Sequence, residues 1–342
     1  MMFWTLLGAA GVSLTLTWAL RRYALTRRSL IDVPNERSSH RSPIPRGGGV
    51  AIAIAFLGLL PALWVDGVLP SNVCIALVGA GGLIAIVGFW DDHRHVPATW
   101  RLASHFVAAG WVVGWLGGMP SLTLAGLHLS SAWLSGILAA VYMVWLLNLY
   151  NFMDGIDGIA SIEAVTACLG GILLYVVATP GNPNWAGPAL LSVSVAGFGY
   201  WNWPPARIFM GDVGSGFLGV TLGAFSIQAA WVAPELFWAW TILLGVFIAD
   251  ASVTLVRRVW RGHRYDAAHR SHGYQHAARR FGGHQPVSLA VGAITVLWLW
   301  PLALLVAVSY LDAALGLLIA YAPLVWLAVS LRAGAPDAQS AD

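Results

Sequence analysis

The chain has 342 residues, of which 58% are hydrophobic and only 10% charged, and its mean hydropathy is +0.72. That composition excludes a soluble globular domain, which needs far more polar surface, and places the chain among polytopic membrane proteins. The net charge of +3 gives no reason to invoke nucleic acid; it follows from a cationic bias at the membrane surface, with attraction to anionic lipid or substrate added.

Crossing about 30 Å of hydrocarbon takes about 20 apolar residues. On that criterion eleven helices are predicted, near 3–20, 49–65, 73–90, 104–118, 132–149, 159–178, 186–201, 215–231, 236–255, 287–308 and 312–331. The first has no basic stretch ahead of its apolar run and reads as a retained helix rather than a cleaved signal. Nineteen Trp and nine Tyr suit aromatic belts at both interfaces. Cys74 and Cys168 fall inside predicted spans without metal-ligand spacing and read as packing residues.

All eighteen cationic residues are arginine, and their placement sets an orientation. Seven (Arg21, Arg22, Arg27, Arg28, Arg37, Arg41 and Arg46) follow the first helix, Arg94 and Arg101 the third, and Arg207 the seventh. Seven more, from Arg257 to Arg280, follow the ninth, and Arg332 the eleventh. The loops near 66–72, 119–131, 179–185, 232–235 and 309–311 contain none. Arginine is retained on the cytoplasmic side during insertion. The pattern therefore predicts an all-α polytopic integral membrane protein of a bacterial inner membrane, with a periplasmic N-terminus and a cytoplasmic C-terminus. Residues 1–342 read as a single membrane-embedded domain, with 333–342 as a flexible tail.

Sorted by side, Asp66, Glu235 and Asp312 fall in outer loops, whereas Asp91, Asp92, Asp154, Asp157, Asp212 and Asp250 lie at or near cytoplasmic helix ends. An ionisable residue costs about 2.5–3.5 kcal/mol at the centre of a span and less toward the interface, so six on one side suggest a common site. In "GFWDDHRH" (88–95), Asp91 and Asp92 end the third helix, where the dipole disfavours carboxylates, so a positive partner is expected: either Arg94 or Arg101 forms a surface salt bridge, or the pair serves a divalent metal or acts as a base. In "NLYNFMDGIDG" (148–158), Asn148, Asn151, Asp154 and Asp157 recur every three residues ahead of the sixth helix, where capping accounts for one aspartate but not for two with two asparagines.

"FMGDVGSGFLG" (209–219) opens the eighth helix with Asp212 among small residues, which suits a metal–phosphate site or close helix packing. Oxygen ligands beside phosphate point to Mg2+, with Mn2+ as the alternative. "HRYDAAHRSHGYQHAARR" (263–280) mixes imidazole with guanidinium, a cradle for a pyrophosphate or a basic surface facing anionic lipid. "SPIPRGGGVAI" (42–52) sets Arg46 and three glycines at the start of the second helix, another candidate anion-binding turn.

Taken together and in this order, these five stretches resemble the polyprenyl-phosphate N-acetylaminosugar-1-phosphate transferases, the MraY/WecA-like glycosyltransferase family 4. "DVPNERSSHRSPIPRGGG" and "NLYNFMDGIDGIAS" look closest to the WbpL-like branch that initiates O-antigen in lipopolysaccharide biosynthesis and related cell-envelope glycans. The resemblance implies transfer of a sugar 1-phosphate, from a UDP-N-acetylaminosugar such as a HexNAc or a 6-deoxy-HexNAc (FucNAc, QuiNAc), to undecaprenyl phosphate. The products would be undecaprenyl-diphosphate sugar and UMP.

By the same resemblance, Asp91, Asp92 and Asp154 would be catalytic, and Asp212 with Asp154 would hold Mg2+. Arg46, Asn148, Asn151, Asp157, His269, His272 and His276 would bind substrate, and a homodimer is compatible. Two departures stand out: the family's lysine after the aspartate pair is His95, and the histidines are spread as "HRSHGYQH". Among rivals, a phosphatidyl-transferring enzyme would need an arginine where "DGIDGIASIEA" offers Ser161 and Glu163, and "DDHRH" lacks the third acid of a polyprenyl-transferring motif. An ion-coupled transporter would place its carboxylates near the midplane, with internal repeats, rather than at one interface.

Overall fold

The computed structural model describes residues 1–27, 30–33, 43–94, 96–262 and 270–335, and the expectations for His95 and His269 lie outside them. Each of the eleven predicted stretches is helical. In chain order these begin with α1 (Met2–Arg27), α2 (Gly49–Val65), α3 (Ser71–His93), α4 (Ala98–Trp115), α5 (Ala132–Met153), α6 (Ile159–Ala178), α7 (Ala186–Asn202) and α8 (Gly211–Val232). The ninth stretch is two helices, α9 (Pro234–Leu243) and α10 (Gly245–Trp260), bent by 69°. A short α11 (Gly273–Arg280) follows. The tenth stretch is α12 (His284–Ile294), a π-helical turn Thr295–Leu299, and α13 (Trp300–Ala307), the break falling where Pro301 can donate no backbone hydrogen bond. α14 (Ala313–Ser330) closes the series.

Seven of these segments are long and apolar enough to cross a bilayer, or eight with the bent pair taken as one, against the eleven expected. The shortfall has local causes. α2 and α7 have only 17 residues each, and α4 carries Arg101, Ser104 and His105 in its first half. The architecture is that of an all-α, multi-pass membrane protein.

α8 is the axis of the bundle: its entire apolar window is buried, against α2, α3, α5 and α9. Lipid is as apolar as leucine, so helices associate there by close packing of small residues rather than by escape from solvent. Glycines supply that approach. A Cβ on Gly219 would stand 2.8 Å from Leu146 O and Leu147 Cα, and one on Gly49 would collide with the backbone of Gly214. Trp4, Trp64, Trp133 and Trp326 face outward from the bundle, where amphipathic rings suit the bilayer interfaces.

Two expectations change here. The Gly47–Gly49 turn is not an open anion cradle, because Gly48 N–H donates to Phe209 O (2.9 Å) and Gly49 N–H to Met210 O (2.8 Å), docking the start of α2 on the start of α8. Nor is the tail free from residue 333. Ala333 is fully buried and Gly334 N–H donates to Ser271 O at 2.6 Å, because this turn fills the angle between α10 and α11. Residues 336–342 lie outside the described set.

Candidate active site

The aspartate pair ends α3 as expected, and the positive partners that the helix dipole requires are present. Asp91 is 7% exposed; its Oδ2 accepts from Arg101 Nη1 at 2.6 Å and its Oδ1 from Val96 N–H at 2.8 Å. Asp92 turns instead toward α8. It accepts from the N–H groups of Asp212 (3.2 Å) and Val213 (3.4 Å), supplying the cap that α8 lacks in its own sequence, and pairs with Arg46 Nε at 3.6 Å. A carboxylate at a helix N-terminus is favourably placed against the dipole, so the charge that burdens α3 stabilises α8. Arg46 also donates to the Asp92 backbone carbonyl.

Asp212 sits in the first turn of α8. Its Oδ1 accepts from Asn151 Nδ2 at 2.7 Å, and its Oδ2 is 3.8 Å from Arg101 Nη1, so Arg101 bridges Asp91 and Asp212. Asn151 also reaches Ser215 Oγ at 3.2 Å. Asp154 follows α5 and is half-buried, and among the described residues it makes no hydrogen bond or ion pair. Burial, then the carboxylates of Asp212, Asp92 and Asp157, hold its carboxyl well above the usual carboxylate range. Among the described residues two guanidiniums, Arg46 and Arg101, pair with Asp91, Asp92 and Asp212, and none pairs with Asp154.

The carboxylates of the other two aspartates are engaged by the protein itself. Asp157 is not the side-chain cap of α6, whose N-cap is Gly158 in a left-handed conformation (φ 76°). Its carboxylate accepts from Ala206 N–H at 3.0 Å and pairs with His284 Nδ1 at 3.2 Å, tying the loop before α8 and the start of α12 to the α5–α6 turn. Asp250 of α10 accepts from Gly273 N–H and Tyr274 N–H at 2.8 Å each, capping α11 from outside.

A cavity of about 520 Å³ opens between α3, α4, α5, α8 and α11. Its polar wall includes Asp91, Arg101, Asn148, Asn151, Asp212 and His272, and its apolar wall Ile84, Val87, Leu102 and Leu147. Of the expected site residues that are described, Arg46, Asp92, Asp154, Asp157 and His276 do not line this cavity; Asp92 pairs with Arg46, and His276 lies 3.0 Å from Arg279.

Arg101, His105, Tyr274 and Gln275 line the cavity without having been singled out as site residues. For the first two a signal existed: Arg101 and His105 are four residues apart at the start of an otherwise apolar helix, the spacing that puts both on one face. His105 Nδ1 lies 3.4 Å from Asn148 Nδ2. Tyr274 is held by its hydroxyl, which donates to Phe152 O at 2.9 Å, and Gly155 leaves it room, since a Cβ there would strike that hydroxyl.

Among the described residues no three His, Cys, Asp or Glu side chains form a ready-made metal cage. Mg2+ does not require one, because it is ordinarily held by one or two carboxylates, waters and substrate phosphates. Asp154, which has no hydrogen-bonding partner among the described residues, and Asp212 beside it fit that donor set.

Comparison with known proteins agrees with this arrangement. The model of glycosyl transferase family 4 matches residues 74–230, the stretch that carries the aspartate pair, the Asn151–Asp157 turn and Asp212. A probable undecaprenyl-phosphate N-acetylglucosaminyl 1-phosphate transferase of Bacillus subtilis is 26% identical over 292 residues, 81% of this chain and 77% of the relative. A decaprenyl-phosphate N-acetylglucosaminephosphotransferase of Mycolicibacterium smegmatis is 30% identical over 241 residues, covering 61% and 55%. A phospho-N-acetylmuramoyl-pentapeptide-transferase of Synechococcus elongatus is 32% identical over 239 residues, covering 63% and 60%. The matched part thus spans little more than half of the latter two relatives. The chain is thus similar to glycosyl transferase family 4 over residues 74–230, and over a longer stretch to the Bacillus subtilis relative.

Proposed function

We propose that the protein transfers an N-acetylaminosugar 1-phosphate from a UDP-sugar to undecaprenyl phosphate on the cytoplasmic face of the inner membrane, the first step of an O-antigen or related envelope glycan. The observation that carries this reading is the excess, among the described residues, of carboxylates over guanidiniums beside a cavity with one polar and one apolar wall. The donor is a nucleotide diphosphate whose charge needs cations at its phosphates, and the acceptor is a phosphate on a hydrocarbon chain. The names of the relatives, which specify polyprenyl or sugar phosphate transfer, support the same chemistry.

An oxygen of the lipid phosphate attacks the phosphorus that carries the sugar. The new P–O bond forms as the bond from that phosphorus to the bridging oxygen breaks, and UMP leaves. Such transfers depend on positioning and charge neutralisation more than on covalent help from the protein. Asp154 and Asp212 would hold Mg2+, which would neutralise charge on the diphosphate when bound. Arg101 fixes Asp91 on the cavity wall, where its carboxylate can orient or deprotonate the lipid phosphate, and Asn151 holds Asp212 in register. Asp92 places the start of α8, and His272 and Tyr274 form the donor side.

The test is UMP release from purified protein with Mg2+, undecaprenyl phosphate and a panel of UDP-N-acetylhexosamines, including 6-deoxy members. Lipid-dependent UMP from one donor supports the reading and identifies the sugar. Folded protein that releases no UMP with any donor contradicts it.

A further inference from the structure

The turn Arg332–Ala335 beyond α14 lies outside the cavity, yet it is bonded to the segment that forms one wall of it. Ala333 is completely buried. Its carbonyl accepts from Arg257 Nη1 at 2.8 Å, and the Gly334 carbonyl accepts from Arg261 Nη1 at 2.6 Å. The two arginines stand four residues apart at the end of α10, on one face, and both reach the same turn. Gly334 has φ +74°, and a Cβ there would lie 2.9 Å from both Thr254 O and Arg257 Cβ, so this backbone passage admits glycine alone.

On its other side Gly334 N–H donates to Ser271 O at 2.6 Å. The next residue is His272, which opens α11 and lines the cavity with Tyr274 and Gln275. Besides the Tyr274 hydroxyl on Phe152 O, the wall segment is therefore fastened by Asp250 at Gly273 and Tyr274 and by Gly334 at Ser271. An arginine at an exposed helix end would ordinarily stay with water or lipid phosphate; here two are committed to carbonyls of a turn that makes no contact with the cavity itself.

We propose that Arg257, Arg261 and Gly334 are positioning residues for the donor: the turn sets the height of His272 and Tyr274 at the nucleotide-diphosphate side of the cavity. This rests on reading that side as the donor's site. Loosening the turn therefore weakens donor binding while leaving the acceptor's side, built on α3 and α4, in place.

Two readouts on the full chain decide it. In steady-state UMP release, the double substitution Arg257→Gln with Arg261→Gln raises the donor KM by about tenfold, the loss of two hydrogen bonds from charged donors, with the undecaprenyl phosphate KM and kcat nearly unchanged. Arg257→Lys, which keeps a donor for Ala333 O, recovers part of the loss. Gly334→Ala has the same effect where it folds, and the arginine pair keeps the test open where it does not. In amide hydrogen exchange, Gly273 and Tyr274 of the double variant lose protection while α3 and α8 keep theirs. Unchanged donor KM in an active enzyme, equal rises in both KM values, or unchanged protection at Gly273 and Tyr274 overturns the inference. Wild-type protein that releases no UMP overturns the proposed function instead, and the exchange comparison then judges the clamp on its own.

Discussion

Asp212 and Asp157 are both half or more buried, both lie at the same end of the bundle and both follow a glycine-rich signature, yet the structure uses them in opposite ways. Both carboxylate oxygens of Asp157 are engaged, with Ala206 N–H and His284, and Asp250 likewise caps α11 with both of its own. Asp212 accepts one short hydrogen bond, from Asn151, and keeps its other oxygen at 3.8 Å from Arg101, while Asp154 beside it has no hydrogen bond among the described residues. A buried carboxylate that is fully hydrogen-bonded holds a structure together; one left with spare capacity among other carboxylates is costly unless a cation or substrate completes it. The comparison separates Asp157 and Asp250, whose carboxylates are filled by the protein itself, from Asp154 and Asp212, which keep spare capacity beside the cavity.

The sharpest way to break that division is Asp212→Ala. It removes an acting carboxylate, and lipid-dependent UMP release should fall by about a thousandfold with the melting temperature unchanged or raised, the size expected for losing a pre-organised electrostatic contact. A matched fall in stability would move Asp212 to the positioning class. Next in size, Asp250→Ala should destabilise the folded protein by about 2–3 kcal/mol, because two backbone donors at the start of α11 lose a charged acceptor. Thermal melting shows this directly, and activity should fall with the folded fraction.

A smaller effect sharpens the electrostatic side. The Asp154 carboxyl is held above the usual carboxylate range by burial and by neighbouring carboxylates. The folded protein then keeps a proton that the unfolded chain releases, so stability from this group declines as pH rises from the ordinary carboxylate range toward the raised value. A bound divalent cation offsets that cost where the group is ionised. Added Mg2+ should therefore raise the melting temperature by more at pH 8 than at pH 5.5, and Asp154→Asn should flatten the difference. Equal shifts at both pH values would contradict the assignment. Smallest of all, Asn151→Asp should lower kcat more than it changes either KM, since it leaves the cavity's shape intact but replaces the donor that orients Asp212 with a repelling carboxylate.

Much of the fold was legible because hydrocarbon length and punctuation agree. α2 and α6 run over the residues expected, each entered through glycines that end the preceding turn. The bend between α9 and α10 was not legible from hydropathy, since Leu236–Leu244 and Val246–Ile248 read as one apolar run; only Gly245 marks the break. The gathering of Asp91, Asp92, Asp154 and Asp212 could be read because carboxylates are conspicuous at the ends of apolar helices. Which of the aspartates act could not be read, because the groups that occupy Asp157 come from Ala206 and His284, 49 and 127 residues along the chain. Arg101 was legible only as a salt-bridge partner of the aspartate pair, and His105 not at all, because a short polar face on one turn of α4 carries no motif and acquires meaning only when α5 and α8 close against it.

The most direct test of the division is binding of Mn2+, as a paramagnetic stand-in for Mg2+, measured by electron paramagnetic resonance on purified protein with UDP-N-acetylglucosamine present. The account predicts one bound Mn2+ in the wild type, lost in Asp212→Asn and in Asp154→Asn, and retained in folded Asp157→Asn and Asp250→Asn. Retention in the first two with loss in the last two would contradict it.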